Sequence, residues 1–190
     1  MVLLQQHQQL VSTTFRVATI QPHDEEKITH NIAHKTIHAR KRKTIMMKLD
    51  ALKDYLYDVV GAIYETHREL GPGLNEYVYQ EGLGMQLEEE NIAFEREKEY
   101  TPIYHDRTMN AKYRLDFVCM DQIIVECKAV EQLSVNHRAQ LFNYMRLTKL
   151  PMGILVNFSQ KSAVIERYFF DIQKSEIMSM DGTVLSRFKK

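Results

Sequence analysis

Cysteine is scarce in this chain: Cys119 and Cys127 are the only two in 190 residues, and no CxxC spacing exists. That excludes a disulfide scaffold, and both residues fall in apolar runs that read as strands. They are expected to be buried, reduced thiols, which suits a cytoplasmic setting. Long apolar runs are missing too. The cleanest one, near Met152 to Val156, is far too short to span a bilayer, so no membrane partner is expected. The opening Met-Val-Leu-Leu-Gln-Gln-His lacks the basic region and long apolar stretch of a secretory signal. Net charge is also absent, with 25 Lys/Arg against 25 Asp/Glu. A neutral chain is not the usual profile of a tight, non-specific nucleic-acid binder. Finally, Gly71-Pro72-Gly73 is not followed by Gly-Lys-Ser/Thr, so it reads as a helix stop rather than a phosphate loop.

The charge is unevenly spread. Residues 1–50 hold eight Lys/Arg and four Asp/Glu, which leaves the remainder acidic by the same margin. Residues 1–45 are rich in Gln, His and Thr, end in Arg40-Lys41-Arg42-Lys43, and show no sustained apolar periodicity. They read as a flexible basic tail. His30, His34 and His38 share a helical face, but no carboxylate or thiol joins them, so a physiological metal is not expected there. Met46 and Met47 directly precede the first convincing helix, and translation starting there is a reading that the native mass tests. Residues 46–190 form the expected domain, ample for one core.

Within it, Leu52, Leu56, Val59, Val60, Ile63 and Leu70 recur at three and four, predicting an amphipathic helix of about five turns. A second helix is predicted from about Leu74 to Glu90, with Glu76, Tyr79 and Leu83 on one stripe and Leu87 a turn on. Gly82 and Gly84 inside it are expected to pack closely against a sheet. Phe94 to Tyr104 reads as an edge strand, His105-Asp106-Arg107 as a turn, and Thr108 to Cys119 as the next strand. Ile123 to Ala129 is more continuously apolar than these, despite Glu126 and Lys128, and is therefore expected to be central. Val135 to Thr148 is a helix with Ala139, Phe142 and Met145 toward the core. Gly153 to Phe158 and Ala163 to Phe170 are further strands, and Ile177, Val184, Leu185 and Phe188 form a last strand or packed tail. The pattern predicts a three-layer α/β fold, a central mixed β-sheet flanked by helices.

Chemistry concentrates in Tyr113-Arg114-Leu115-Asp116-Phe117-Val118-Cys119 and Ile123-Ile124-Val125-Glu126-Cys127-Lys128-Ala129. Strand alternation points Glu126 and Lys128 the same way, and pairing of the strands can bring Asp116 beside them. Two carboxylates on adjacent strands supply hard oxygen ligands suited to Mg2+ or Mn2+. A neighbouring lysine can orient a water or neutralise charge on a phosphate. Glu76 can add a ligand if its helix packs across the sheet. Gln140 and Tyr144, four apart, share a face of the following helix. The rival reading is an ion cluster with a purely structural role.

Asp116 followed by Glu126-Cys127-Lys128 resembles the D…(D/E)-x-K core of the PD-(D/E)XK nuclease superfamily. Gln140-Leu141-Phe142-Asn143-Tyr144 resembles the QxxxY element of its RecB-like members. Gly73-Leu74-Asn75-Glu76-Tyr77-Val78-Tyr79 resembles the element for which the GxxExxY branch is named. The likeness covers about Leu52 to Phe170, and it departs in one place, where Leu115 stands for the proline that often precedes the aspartate. It implies a restriction-endonuclease-like core and metal-dependent hydrolysis of phosphodiester bonds in nucleic acid, DNA being the expected partner. It implies that Glu76, Asp116 and Glu126 are the metal-site residues, Lys128 the catalytic lysine, and Gln140 and Tyr144 supporting catalytic residues. A nucleic-acid-binding or accessory protein with this fold and little catalysis is the alternative; a compact, homodimeric interaction protein is another.

Overall fold

Apolar spacing becomes helix where predicted. The computed structural model describes residues 52–189. Helix α1 (Lys53–Leu70) buries Leu56, Val59, Ala62 and Ile63 along one face. It ends at Gly71, whose φ of 69° lets its N–H return to the His67 carbonyl at 2.9 Å. Helix α2 (Glu76–Glu89) begins two residues later than the apolar pattern suggests, because the Asn75 side chain caps it by accepting the Val78 N–H at 3.2 Å. Glu76 is therefore in the first turn of α2. Gly82 packs against α1 rather than the sheet: a Cβ there would lie 2.7 Å from Leu70 Cδ1. Gly84 does face the sheet, 3.8 Å from the Phe117 ring by the same measure.

The strands are β1 (Phe94–Tyr100), β2 (Ile103–Tyr104), β3 (Arg107–Thr108), β4 (Tyr113–Cys119), β5 (Ile123–Lys128), β6 (Met152–Asn157), β7 (Val164–Asp171), β8 (Glu176–Ser179) and β9 (Val184–Arg187). Seven form one sheet in the order β1-β4-β5-β6-β7-β8-β9, and β2 with β3 makes a separate hairpin. The long strands expected over Phe94 to Tyr104 and Thr108 to Cys119 are thus each interrupted. The short ends pair with each other and leave the main sheet. The last segment yields two strands, with Ile177 buried on β8 and Leu185 exposed on β9.

Among the described residues only β5 and β6 run parallel, and helix α3 (Val135–Thr148) is the crossover between them; the other neighbours in the sheet are antiparallel. The sheet has two apolar faces. One packs on α1 and α2 through Phe117, Ile123, Val125, Cys127, Ile154 and Val156. The other packs on α3 through Leu115, Ile124, Leu155, Tyr168 and Phe170. Strand β5, buried along its whole length, is the centre of this three-layer α/β arrangement. On α3 the core contacts are Leu141, Tyr144 and Met145, while Ala139 is exposed and Phe142 is only half-buried. Gly153 is what lets α3 approach, since a Cβ there would meet Met145 Sδ at 2.5 Å and Leu141 at 3.2 Å. Among the described residues no helix is long and apolar enough to cross a membrane. The tail expected over residues 1–45, with its histidines and basic run, and the candidate start at Met46 or Met47 lie outside the described residues.

Candidate active site

The site is built where β4 leaves β5. Backbone pairing holds Cys119 to Ile123, Val118 to Ile124 and Phe117 to Val125, then stops. At the next position the Asp116 side chain takes over, its Oδ2 accepting the Cys127 N–H at 2.8 Å. Strand alternation breaks there as well: Leu115 is buried under α3, whereas Phe117, two residues on, is buried under α1 and α2. The neighbouring strand yields at the same point. Arg96 pairs with Phe117 and Lys98 with Leu115, but the intervening Glu97 has φ of 52° and no partner in the register. The opening between strands is thus a local irregularity with a carboxylate as its seal.

Glu126 and Lys128 follow on β5. Neighbouring Ile123, Val125 and Cys127 face α1 and α2, so alternation turns Glu126 and Lys128 toward the α3 side with Ile124. Glu126 is 1% exposed, and its Oε1 accepts from Lys128 Nζ at 2.6 Å. The ammonium also donates to the Cys127 carbonyl at 2.9 Å and lies 3.9 Å from Glu76 Oε1. Glu126 Oε2 is buried with no hydrogen-bond partner among the described residues. An orphaned carboxylate oxygen in a protein interior is expensive unless a cation or proton meets it.

The electrostatics agree. Burial, then the Asp116 charge, pushes the Glu126 carboxyl up to about 7, Lys128 offsetting part of the rise. Burial also raises Asp116 against the bond from Cys127 N–H and the Lys128 charge. Glu76 is raised mainly by burial, with Asp116 adding repulsion. Burial on its own would lower Lys128, but the Glu126 carboxylate and its hydrogen bond, with Glu76 and Asp116 behind them, raise it. Carboxylates that repel one another around one lysine form a group short of positive charge.

Three further residues hold this group; Tyr79 stands out in the sequence as the tyrosine of Gly-x-x-Glu-x-x-Tyr, while Gln80 and Asn157 do not. Tyr79, on α2, has its hydroxyl donating to the Gly71 carbonyl at 2.6 Å and accepting the Leu74 N–H at 3.2 Å, clamping the turn that delivers Glu76. Its ring stacks on Phe158 at 4.7 Å, and the Phe158 N–H bonds to the Lys128 carbonyl at 2.8 Å. One side chain therefore links the Glu76 turn to the Lys128 strand. The Gln80 amide donates to Glu76 Oε1 at 3.5 Å and offsets part of the rise that burial gives the Asp116 carboxyl; its spacing of four from Glu76 was the available signal. Asn157, 1% exposed at the end of β6, bonds through its amide to both the N–H and the carbonyl of Val130, fixing the turn beyond Lys128. An asparagine closing so apolar a run as Gly153 to Val156 was its only sequence mark.

Gln140 and Tyr144 come together on α3, the Gln140 amide donating to the Tyr144 hydroxyl at 3.0 Å. Burial first, and then the Glu126 and Asp116 charges, raise the Tyr144 phenol, so it belongs to the same electrostatic group. The Gln140 amide reaches Tyr144, not Lys128. Both cysteines are buried free thiols, as expected; burial raises Cys119 to about 12 and carries Cys127 well above its ordinary value.

A family model described as the PD-(D/E)XK nuclease superfamily matches residues 53–168. The chain belongs to that superfamily. The match runs from α1 into β7 and takes in the whole group around Lys128. No curated protein and no solved structure matches the chain. Members of the superfamily are generally metal-dependent nucleases, so nuclease-type chemistry on a nucleic-acid substrate is what membership suggests for this domain. The donor set fits a hard divalent cation: Asp116, Glu126 and Glu76 offer oxygens only, and one of them is buried and unpartnered. Among the described residues, no three His, Cys, Asp or Glu side chains are gathered closely enough to hold an ion as they stand. The Lys128 ammonium sits between Glu126 and Glu76 instead.

Proposed function

We propose that this nuclease-superfamily domain is a metal-dependent nuclease that hydrolyses phosphodiester bonds of DNA in the cytoplasm, and that residues 46–190 are its catalytic domain. The single observation that carries the reading is Glu126 Oε2, buried and unpartnered beside Asp116 and Lys128. Asp116 and Glu126 would hold Mg2+ or Mn2+, with Glu76 assisting. A bound divalent ion supplies Lewis acidity, lowering the pKa of a water and stabilising charge on the phosphate.

The chain's own residues do the rest. Lys128, charged because three carboxylates surround it, orients the attacking water and neutralises the phosphate oxygen as charge grows there. Tyr144, supported by Gln140, borders the carboxylates from α3 and helps position the backbone being cut. On this reading Gly73, Glu76 and Tyr79 are the signature of the GxxExxY branch, and Gln140 with Tyr144 the QxxxY element of RecB-like nucleases.

The test is cleavage of single- and double-stranded DNA with Mg2+ or Mn2+. Metal-dependent products are expected from the native protein, and loss of about 100-fold or more in Lys128→Ala. Equal, residual cleavage by the two proteins overturns the reading. The closed Glu126–Lys128 pair favours a second one, an accessory protein that binds nucleic acid without turnover; salt-sensitive binding with no metal-dependent product would support it.

A further inference from the structure

The β2–β3 hairpin lies outside everything assigned so far. It continues from the end of β1 and the start of β4, the same end of the sheet at which β4 departs from β5 at Asp116. Residues 103–114 are all exposed, and they include apolar side chains that are costly to leave in water. Ile103 is 68% exposed and Tyr104 66%. The turn is tight, His105 and Asp106 both adopting positive φ (47° and 60°), which holds Tyr104 directly across from Arg107. The Met109 N–H bonds to the Pro102 carbonyl at 2.9 Å, closing the base of the hairpin.

Charge in this segment is positive. Arg107, Lys112 and Arg114 stand against Asp106 alone, and Arg107 has no ionic partner among the described residues. Lys112 and Arg114 neighbour Glu99 and Glu97 at 2.5 and 3.6 Å, leaving both cations accessible at the surface. The chain beyond the hairpin leads into the catalytic group: Tyr113, the first residue of β4, meets the Tyr144 ring edge-on, with centroids 5.9 Å apart. Tyr113 is three residues from Asp116, roughly 10 Å at the rise of a strand.

We propose that this hairpin is a docking arm for an unpaired nucleic-acid strand entering the site. The inference rests on the nuclease reading and adds strandedness to it. Tyr104 offers a ring to the face of an unstacked base, and Arg107 beside it meets the adjoining phosphate. Tyr113 and Arg114 continue the track toward Asp116. A paired duplex keeps its base faces stacked away from such a ring, so the arm distinguishes single strands from duplex.

Fluorescence anisotropy with a labelled oligothymidylate strand, and with a duplex of the same length, tests this in EDTA, where cleavage cannot interfere. Tyr104→Ala is expected to weaken single-strand binding about five-fold or more, Tyr104→Phe to leave it unchanged, and neither to alter duplex binding. Arg107→Ala is expected to reduce the salt dependence of single-strand binding. Tyr104 is exposed, so an unchanged thermal transition separates lost contact from lost fold. Wild-type binding that Tyr104→Ala leaves intact overturns the arm while leaving the nuclease reading in place. Equal losses for strand and duplex also overturn it, as does a change in oligomeric state in place of affinity. Cleavage by the wild type without any single-strand binding rejects the arm alone; neither binding nor cleavage rejects both.

Discussion

Glu126 and Glu166 stand in one row of the sheet, on either side of Leu155, and their circumstances are opposite. Glu166 is fully engaged. Arg138, on α3, donates to both its oxygens (2.8 and 2.5 Å), and the Tyr168 hydroxyl donates at 2.5 Å. These bonds outweigh burial and lower its pKa. Glu126 is more deeply buried, shares a single lysine with other carboxylates, and keeps one oxygen unpartnered. Its pKa rises instead. The same residue type in the same row under the same helix is a fastener in one place and a frustrated group in the other. Frustration of that kind is retained where a ligand or a reaction relieves it.

The contrast is broken most directly by removing each glutamate's cation. Lys128→Ala should lose cleavage about 100-fold or more. Arg138→Ala should cleave normally yet lose about 2 kcal/mol of stability, because it strands a half-buried carboxylate. Thermal melts and cleavage rates on the two variants decide the matter, and a reversed pattern would exchange the roles of the clusters.

Next in size is the effect of neutralising the glutamates themselves. A carboxyl raised from 4.5 to about 7 in the folded state holds more protons folded than unfolded. Its contribution is complete below about 4.5 and is lost as pH rises through 7, a loss of a few kcal/mol at most. Metal-free protein should therefore lose stability across that window, and Glu126→Gln should flatten the decline and melt higher at neutral pH. Glu166, lowered, behaves in the opposite sense: its contribution is present above its unfolded pKa and fades as pH falls through the folded one. Glu166→Gln should melt lower at neutral pH. Denaturation followed over pH in chelator measures both, and a flat wild-type profile would remove the argument for frustration.

The smallest effect sharpens the comparison rather than challenging it. Tyr79→Phe keeps the ring on Phe158 and deletes only the hydroxyl that clamps the Gly71–Leu74 turn. Stability should fall by about 1 kcal/mol, while Mn2+ affinity in calorimetric titration should weaken several-fold through loosening of Glu76. Unchanged affinity would show that the turn holds its position without the hydroxyl.

Much of this was legible in the sequence. Periodicity marked α1, the crossover helix α3 and the buried strands β5 and β6, because burying an apolar face at fixed spacing leaves little freedom. Alternation put Glu126 and Lys128 on one face. What local pattern could not reveal was where pairing stops. The turn at His105-Asp106-Arg107 is readable, but the residues on either side of it continue to look like parts of the long strands, yet they leave the sheet to make the hairpin, and Ala139 looks apolar but faces water. Gln80 and Asn157 carry no distinctive pattern of their own; Tyr79 is marked by its place in Gly-x-x-Glu-x-x-Tyr, but its role, like theirs, depends on partners far along the chain.

Local pattern dictates the order of elements, the placing of charge on a strand otherwise buried, and the residue types available to a hard cation. Tertiary structure alone decided which charges are relieved. Glu126 and Glu166 are indistinguishable as letters, since both are carboxylates in apolar runs. Their difference arises because α3 brings Arg138 over one of them, while the parting of β4 from β5 brings Asp116 toward the other. Solvation and pairing are properties of surroundings, and the surroundings exist only once distant segments meet.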